Sequence, residues 1–585
     1  MNKSKRAIRD QILLKETQSN PGSLSDSESS RNLFLKSTAL EIVTNIEHGA
    51  WKASQVLEAF IAQSLVAHSA TNCITEVFFD EARTRAKDLD AEFQKTKRLR
   101  GPLHGVPISV KSVTDLRLSQ DNIRGYDTTI GFTSCADKPA PFTADVRFLR
   151  SFVQLMIDAG AVPFLKTNVP QTMYAYECNN PVWGRTSNPY NPAYTSGGSS
   201  GGEACILSLD AAVIGLGSDI GGSLRVPASY CGIYSFKPGF GRISDWGAKE
   251  SFPGFDGIKS VCGPMARCMD DLDLACRVSF GARGATNDVP PIPFRDVNLP
   301  KKLRFGYYTS DGVIKASPAC IRAVQETIDA LKRAGHECVE FDQNLTPEIL
   351  KVYLCLTTAD GYKTLLAPQG SDPLDDSLSV LTFGPKVPQL LRRIVAWFIE
   401  KFAGDDLMGD MVRLSGVRPV EEYHAASSRR EEVKRIFYEE VWEKHGFDGI
   451  ITHVHASPQT QHGGSKMLSV MSANVLTYNL LDSPCGVVPV TYVKAENDHV
   501  TDGWIKGTGH GSPMCENELY SKGERHLYDP IAMEGMPVGV QVIGKKWEDE
   551  KVLAMMRVVD EALGKARGFR PGSWKERLRN RPQEN

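Results

Sequence analysis

The chain has 585 residues, 41% of them hydrophobic and 24% charged, with a formal net charge of -2. That composition describes globular material with a large core, and the near-neutral charge offers no footprint for a polyanion, so nucleic acid is set aside as a partner. The 13 cysteines are odd in number and contain no C-x-x-C pair, which argues for reduced thiols in a cytosol and against the common zinc and redox motifs.

The basic start MNKSKRAIRD has no long apolar run and no small-residue cleavage site, so no secretory signal is read there. Asn20 to Ser30 is polar and turn-rich, and residues 1–32 are expected to form a mobile tail ahead of a single domain over 33–585. Leu40, Val43 and Ile46, then Val56, Phe60 and Leu65, recur at helical spacing and predict helices over 38–54 and 54–67, with Ser54 as N-cap of the second. Between Leu103 and Leu224, short apolar runs broken by Gly and Pro alternate with helical pieces such as 145–160, the texture of an α/β body. From about 285 to 445 the chain is more helical and more charged. Within it VPQLLRRIVAWFIEKFAG, 387–404, has the pattern of an amphipathic helix, read first as packing on the core, with membrane-surface contact or a lid over a pocket as the other options. No stretch supplies the ~20 consecutive apolar residues of a membrane-spanning helix. The α/β texture returns at Asp448 and closes on GMPVGVQVIG, 535–544, an alternating strand between glycines.

The chemistry concentrates in the glycine-rich middle. TSGGSSGGEAC, 195–205, is not a phosphate cradle, because Gly202 is followed by Glu203 and Ala204 where a P-loop needs Lys and a hydroxyl residue. Gly197, Ser199 and Gly201 fit the G-x-S-x-G nucleophile elbow, but the Pro/Asn-rich run before them is not the buried strand an elbow follows. Further on, AVIGLGSDIGGSLRVPASYCG, 212–232, reads as a buried strand, a glycine turn around Ser223 and a helix start, which places Ser223 as a nucleophile with its own oxyanion amides. Upstream, PLHGVPISVKSV, 102–113, is an apolar strand that puts Lys111 on one face with Ser109 and Val113. No histidine lies near either serine loop in sequence, and a lysine with an ordinary pKa of about 10.4 serves as base only where burial lowers it. Asp219 and Arg225 flank the turn as a candidate buried pair.

The run from GGSSGG through GSDIGGSLRVPASYCGIYSFKP, with PLHGVPISVK, KTNVPQTMYAYECNNPVWGRTSNPYN and GMPVGVQVIG, resembles the amidase signature family of serine hydrolases over most of the chain. The resemblance implies an α/β amidase signature fold, a large mixed central β-sheet flanked by many helices, with residues 33–585 as one amidase domain. It implies a Ser-Ser-Lys triad: Ser223 as nucleophile, Ser199 as bridging serine on a cis peptide, Lys111 as base. The amides of Ile220, Gly221, Gly222 and Ser223 then form the oxyanion hole, and Met173 and Tyr174 line the acyl pocket beneath the helical cover at about 285–445. Ser112 stands where the family most often has Asp, and KPGFGR replaces the commoner Lys-Pro-Thr; neither is a triad position.

TNVPQTMYAYECNNP resembles the fungal acetamidase and fatty-acid-amide branch, because Pro170 and Gln171 stand where the tRNA amidotransferase subunit has an acidic pair. The expected activity is hydrolysis of a small-molecule carboxylic amide in the cytoplasm, without cofactor or metal and without a transmembrane segment. Peripheral membrane contact and a homodimer are left open. Two alternatives stand beside it: an elbow-type esterase using Ser199 with His453 or His455, and a catalytically idle binding scaffold.

Overall fold

The computed structural model describes residues 2–19, 28–112, 152–245, 248–281, 289–466, 468–507, 510–520 and 527–579. Among the described residues eleven strands form a single sheet: β1 (Ile74–Val77), β2 (Pro107–Lys111), β3 (Val162–Thr167), β4 (Ile214–Asp219), β5 (Tyr234–Lys237), β6 (Val261–Ala266), β7 (Arg304–Tyr307), β8 (Glu337–Glu340), β9 (Gly449–His453), β10 (Cys485–Tyr492) and β11 (Pro537–Ile543). Their order is β1-β3-β2-β4-β6-β5-β10-β11-β9-β7-β8. The β3-β2-β4 and β9-β7-β8 groups pair in parallel and the neighbours between them are antiparallel, giving the large mixed sheet expected of the fold.

The middle of this sheet is buried on both faces, which explains the sequence texture. PISVK in β2 and PVGVQVI in β11 are buried at every residue, so β11 is not the half-exposed strand that strict alternation suggests. Its one polar side chain, Gln541, receives a hydrogen bond from Arg225 and donates to the His453 carbonyl. Helices Gly201–Ser208 and Arg225–Cys231 are buried throughout; the first packs on β2, β3 and β4, the second on β5, β10 and β11.

Several expectations about helices are corrected. The first predicted pair appears as Ala39–Glu47, opened by a Thr38–Glu41 capping box, and Ala53–Thr71. Ser54 is inside the second helix instead of capping it. Asp90, from helix Phe79–Thr96, receives the free amides of Ala53 and Ser54 and the Ser54 hydroxyl, so the cap comes from a neighbouring helix. The segment read as a mobile tail contains helix Asn2–Ser19, held down by Arg9, which is buried, donates to the Ile74 carbonyl at 2.8 Å and stacks over Trp183. Of the helix expected over 145–160, Phe152–Asp158 is helical and 145–151 lie outside the described residues, as does Val113.

The amphipathic segment is turned the other way from the core-packing expectation. Helix Gln389–Phe398 runs into a π-helical turn, Ile399–Ala403, and stops at Gly404, whose φ of 63° suits glycine. Its buried residues are Arg392 and Ala396, with the Arg392 guanidinium donating to the Arg413 and Ser415 carbonyls. Leu390, Ile394, Trp397, Phe398 and Phe402 face outward, Leu390 at 72% and Phe402 at 75% exposure. Among the described residues no helix is long and apolar enough to cross a membrane.

Candidate active site

Lys111 is the last residue of β2, wholly buried, and its ammonium side chain crosses to the two serine loops. Nζ donates to Ser199 Oγ at 2.7 Å and to Ser218 Oγ at 2.9 Å. Burial in this apolar strand environment lowers its pKa to about 8, against the raising influence of Asp219. Ser109 and Lys111 do share one side of β2, and Ser109 donates to the buried carboxyl of Glu203 at 2.6 Å. Thr167 of β3 donates to the same carboxyl at 2.7 Å, so Glu203 clamps helix Gly201–Ser208 to the strand that carries the lysine. Burial pushes Glu203 up to about 7.

Ser223 sits where β4 breaks into the Ile220–Gly222 turn before helix Arg225–Cys231, the strand-turn-helix arrangement read from the sequence. The two serine loops are stitched by the Ser200 amide, which donates to the Ser223 carbonyl at 3.1 Å. The Gly198–Ser199 peptide is cis, as the resemblance implies. No hydrogen bond between the Ser199 and Ser223 hydroxyls is among those of the described residues; both side chains line one polar cavity.

Asp219 organises the turn. It is fully buried, paired with Arg225 at 3.1 Å, and receives further hydrogen bonds from Asn479 and the amides of Gly222 and Leu224. Burial alone raises this carboxyl, but the charge and hydrogen bonds of Arg225, with Lys237 and Asn479, outweigh it and hold Asp219 well below the carboxylate range. One expectation is corrected here. The Gly222 amide donates to Asp219 Oδ1 at 2.8 Å, so it is committed to holding the turn and is not a free oxyanion donor. The amides of Ile220, Gly221 and Ser223 have no acceptor among the described residues.

Two cavities meet at Ser223, and both touch Met173 and Ile220. The apolar one, about 790 Å³, is walled by Tyr174, Tyr353, Leu354, Tyr362, Val470 and Leu476. The polar one, about 810 Å³, contains Ser199 and Ser218 with Asp245, Lys249, Glu250 and Lys259. Thr172 and Met173 both have left-handed backbone, φ 67° and 59°, a strained pair at the junction of the cavities. From the helical segment, Leu381 and Met411 reach the apolar cavity, but no residue of Gln389–Phe398 does.

The histidines of the esterase alternative are engaged elsewhere. His455 pairs with the Tyr230 hydroxyl at 2.9 Å and with Ser472 at 3.2 Å, and His453 pairs with Thr452. Burial lowers both to about 3, which keeps them neutral. Ser218, Glu203 and Tyr353 join the site without a pattern of their own in the sequence: Ser218 is the first serine of the GSDIGGS run that ends at Ser223, and the other two act through the fold.

The family model described as Amidase matches residues 55–553. The chain belongs to the amidase signature family. It is an amide hydrolase, in keeping with its relatives. This amidase is 34% identical over 531 residues to Amidase 1 of Gibberella moniliformis, covering 87% of this chain and 90% of that one. It is 31% identical over 536 residues to Fatty-acid amide hydrolase 1 of Sus scrofa, covering 90% and 86%. To the Acetamidase of Emericella nidulans it is 30% identical over 541 residues, covering 90% and 89%. A solved structure of a fatty acid amide hydrolase superposes on this amidase with a TM-score of 0.78 at 25% identity, covering 96% of this chain and 94% of the other. A 6-aminohexanoate cyclic dimer hydrolase shares the fold at a TM-score of 0.65 and 20% identity, covering 90% of this chain and 97% of that one.

Proposed function

We propose that this amidase cleaves a carboxylic amide through an acyl-enzyme on Ser223, with Ser199 as proton relay and Lys111 as base. The observation that carries the reading is the fully buried Lys111 bonded to Ser199 at the wall of the cavity that also holds Ser223. With the amine neutral, the 2.7 Å contact lets the Ser199 O–H pass its proton to Nζ while Ser199 takes the proton of Ser223. Ser223 Oγ then bonds to the amide carbon, and the carbonyl electrons move onto oxygen, facing the amides of Ile220, Gly221 and Ser223. Lys111, now protonated, returns the proton through Ser199 to the departing nitrogen, which leaves as ammonia or amine. Water repeats the sequence on the ester and frees Ser223. The apolar cavity takes the acyl group, and the polar cavity, which contains Ser199, takes the leaving group.

The test is covalent labelling with a fluorophosphonate, located by peptide mapping. The label is expected on Ser223, to vanish in Ser223→Ala, and to form slowly but measurably in Ser199→Ala. A label on Ser199 overturns the assignment.

A further inference from the structure

The apolar cavity is lined by a wholly buried polar side chain, Tyr362, that the chemistry above does not use. Tyr362 presents a hydroxyl with no hydrogen-bond partner among the described residues. Its ring packs against Tyr174 at 6.1 Å and Phe252 at 6.3 Å between centroids. The Thr357 hydroxyl lies near enough to offset part of the burial at Tyr362 but does not meet it in hydrogen-bond geometry, and the protons of Thr357 and Tyr353 are spent elsewhere. Thr357 donates to the Tyr353 carbonyl at 3.0 Å, and Tyr353 donates to the Ile220 carbonyl at 3.4 Å. Tyr362 also adopts left-handed backbone, φ 61°, a conformation that suits Gly or Asn far better than a bulky aromatic residue. Two separate costs therefore meet at this position, a strained backbone and an unsatisfied buried hydroxyl, and phenylalanine would remove the second without changing the ring packing.

We infer that the Tyr362 hydroxyl is a specificity determinant, donating a hydrogen bond to an acceptor carried on the acyl part of the substrate. Resting on the amidase reading above, this assigns the substrate class as amides whose acyl group bears a carbonyl, ether or ring-nitrogen acceptor on an otherwise apolar frame. A plain hydrocarbon acyl group fills the same cavity but leaves the hydroxyl as unsatisfied as it is without substrate. A site built to hydrogen-bond a substrate discriminates against the analogue that lacks the partner more sharply than an apolar pocket discriminates by size.

The experiment compares para-acetyl with para-isopropyl phenylacetamide, and the corresponding phenylpropionamides, on wild type and Tyr362→Phe. The two substituents have nearly the same shape and differ in the acceptor. Wild type is expected to favour the acetyl member in kcat/KM by roughly tenfold in at least one pair, the worth of one buried hydrogen bond. Tyr362→Phe should erase that preference through loss on the acetyl member, and melt no lower than wild type. An acetyl-to-isopropyl ratio that is the same in both proteins, or a variant that melts lower and loses both substrates alike, overturns the assignment. Acetamide separates the two levels: turnover of acetamide without any Tyr362-dependent preference sinks only this inference, whereas an enzyme that hydrolyses no amide sinks the amidase mechanism itself.

Discussion

Lys111 gives the sharpest consequence at the level of single residues. Its pKa of about 8 lies below the ordinary lysine value because burial disfavours the cation, so the neutral base accumulates as pH rises. The amide kcat/KM is expected to climb with pH up to about 8 and level off above it, measured as a pH profile. Lys111→Ala should slow amides by roughly 10²–10⁴ and matched esters much less, because an alkoxide leaves without the proton an amine requires. A profile governed by a histidine, lost in His455→Ala, would reverse the conclusion. Asp219 makes a second prediction. Asp219→Ala leaves the Arg225 guanidinium buried and unpaired and should destabilise the fold by about 3–5 kcal/mol, read by denaturant unfolding. The lysine, its strand and the turn around Ser223 were legible in the sequence because each is a local pattern. The commitment of the Gly222 amide was not, because it depends on where the Asp219 carboxylate settles once Arg225 and Asn479, far apart in the chain, close around it.

Among the elements, helix Gly201–Ser208 and strands β2 and β3 behave as one unit through Glu203. The folded carboxyl titrates near 7, above its ordinary range, so the folded state holds this proton more tightly than the unfolded chain. Its contribution to stability is therefore greatest at acidic pH and falls as pH rises toward 7, then stays flat. Glu203→Gln removes the titration, and its Tm should vary less than that of wild type between those limits, measured by calorimetry across pH. The Gln389–Phe398 helix supports an independent expectation. Ile394 and Phe398 are exposed and neither lines the substrate cavity, so Ile394→Glu and Phe398→Glu should shift stability by no more than about 0.5 kcal/mol and leave KM unchanged for short and long acyl amides. Met411→Asp, on the next helix, does reach the cavity and should raise KM for the longer acyl group. Periodicity announced this amphipathic helix correctly but not which face turns inward. A guanidinium that satisfies the Arg413 and Ser415 carbonyls decides that, and no pattern of apolar residues encodes it.

For the whole molecule, the N-terminal helix and the two cavities matter most. Helix Asn2–Ser19 lies over β1 and the Trp183 loop, with Arg6 donating to the Val182 carbonyl and Glu16 bound to Arg83. Deleting residues 1–19 uncovers Trp183 and should lower Tm by several degrees, a loss not expected of an unattached tail. The polar composition of residues 20–30 concealed this docking, because helix 2–19 is anchored mainly by arginines and not by an apolar stripe. The junction of the cavities at Ser223 has a further kinetic consequence. In the acyl-enzyme mechanism proposed above, an acyl group seated on the apolar side keeps its place when the amine departs through the polar side, so the vacated half is open to whichever nucleophile arrives next. Water and an added amine then compete for a common intermediate. Hydroxylamine should divert product from acid to hydroxamate in a fixed partition ratio that depends on the acyl group and is indifferent to which amide or ester delivered it.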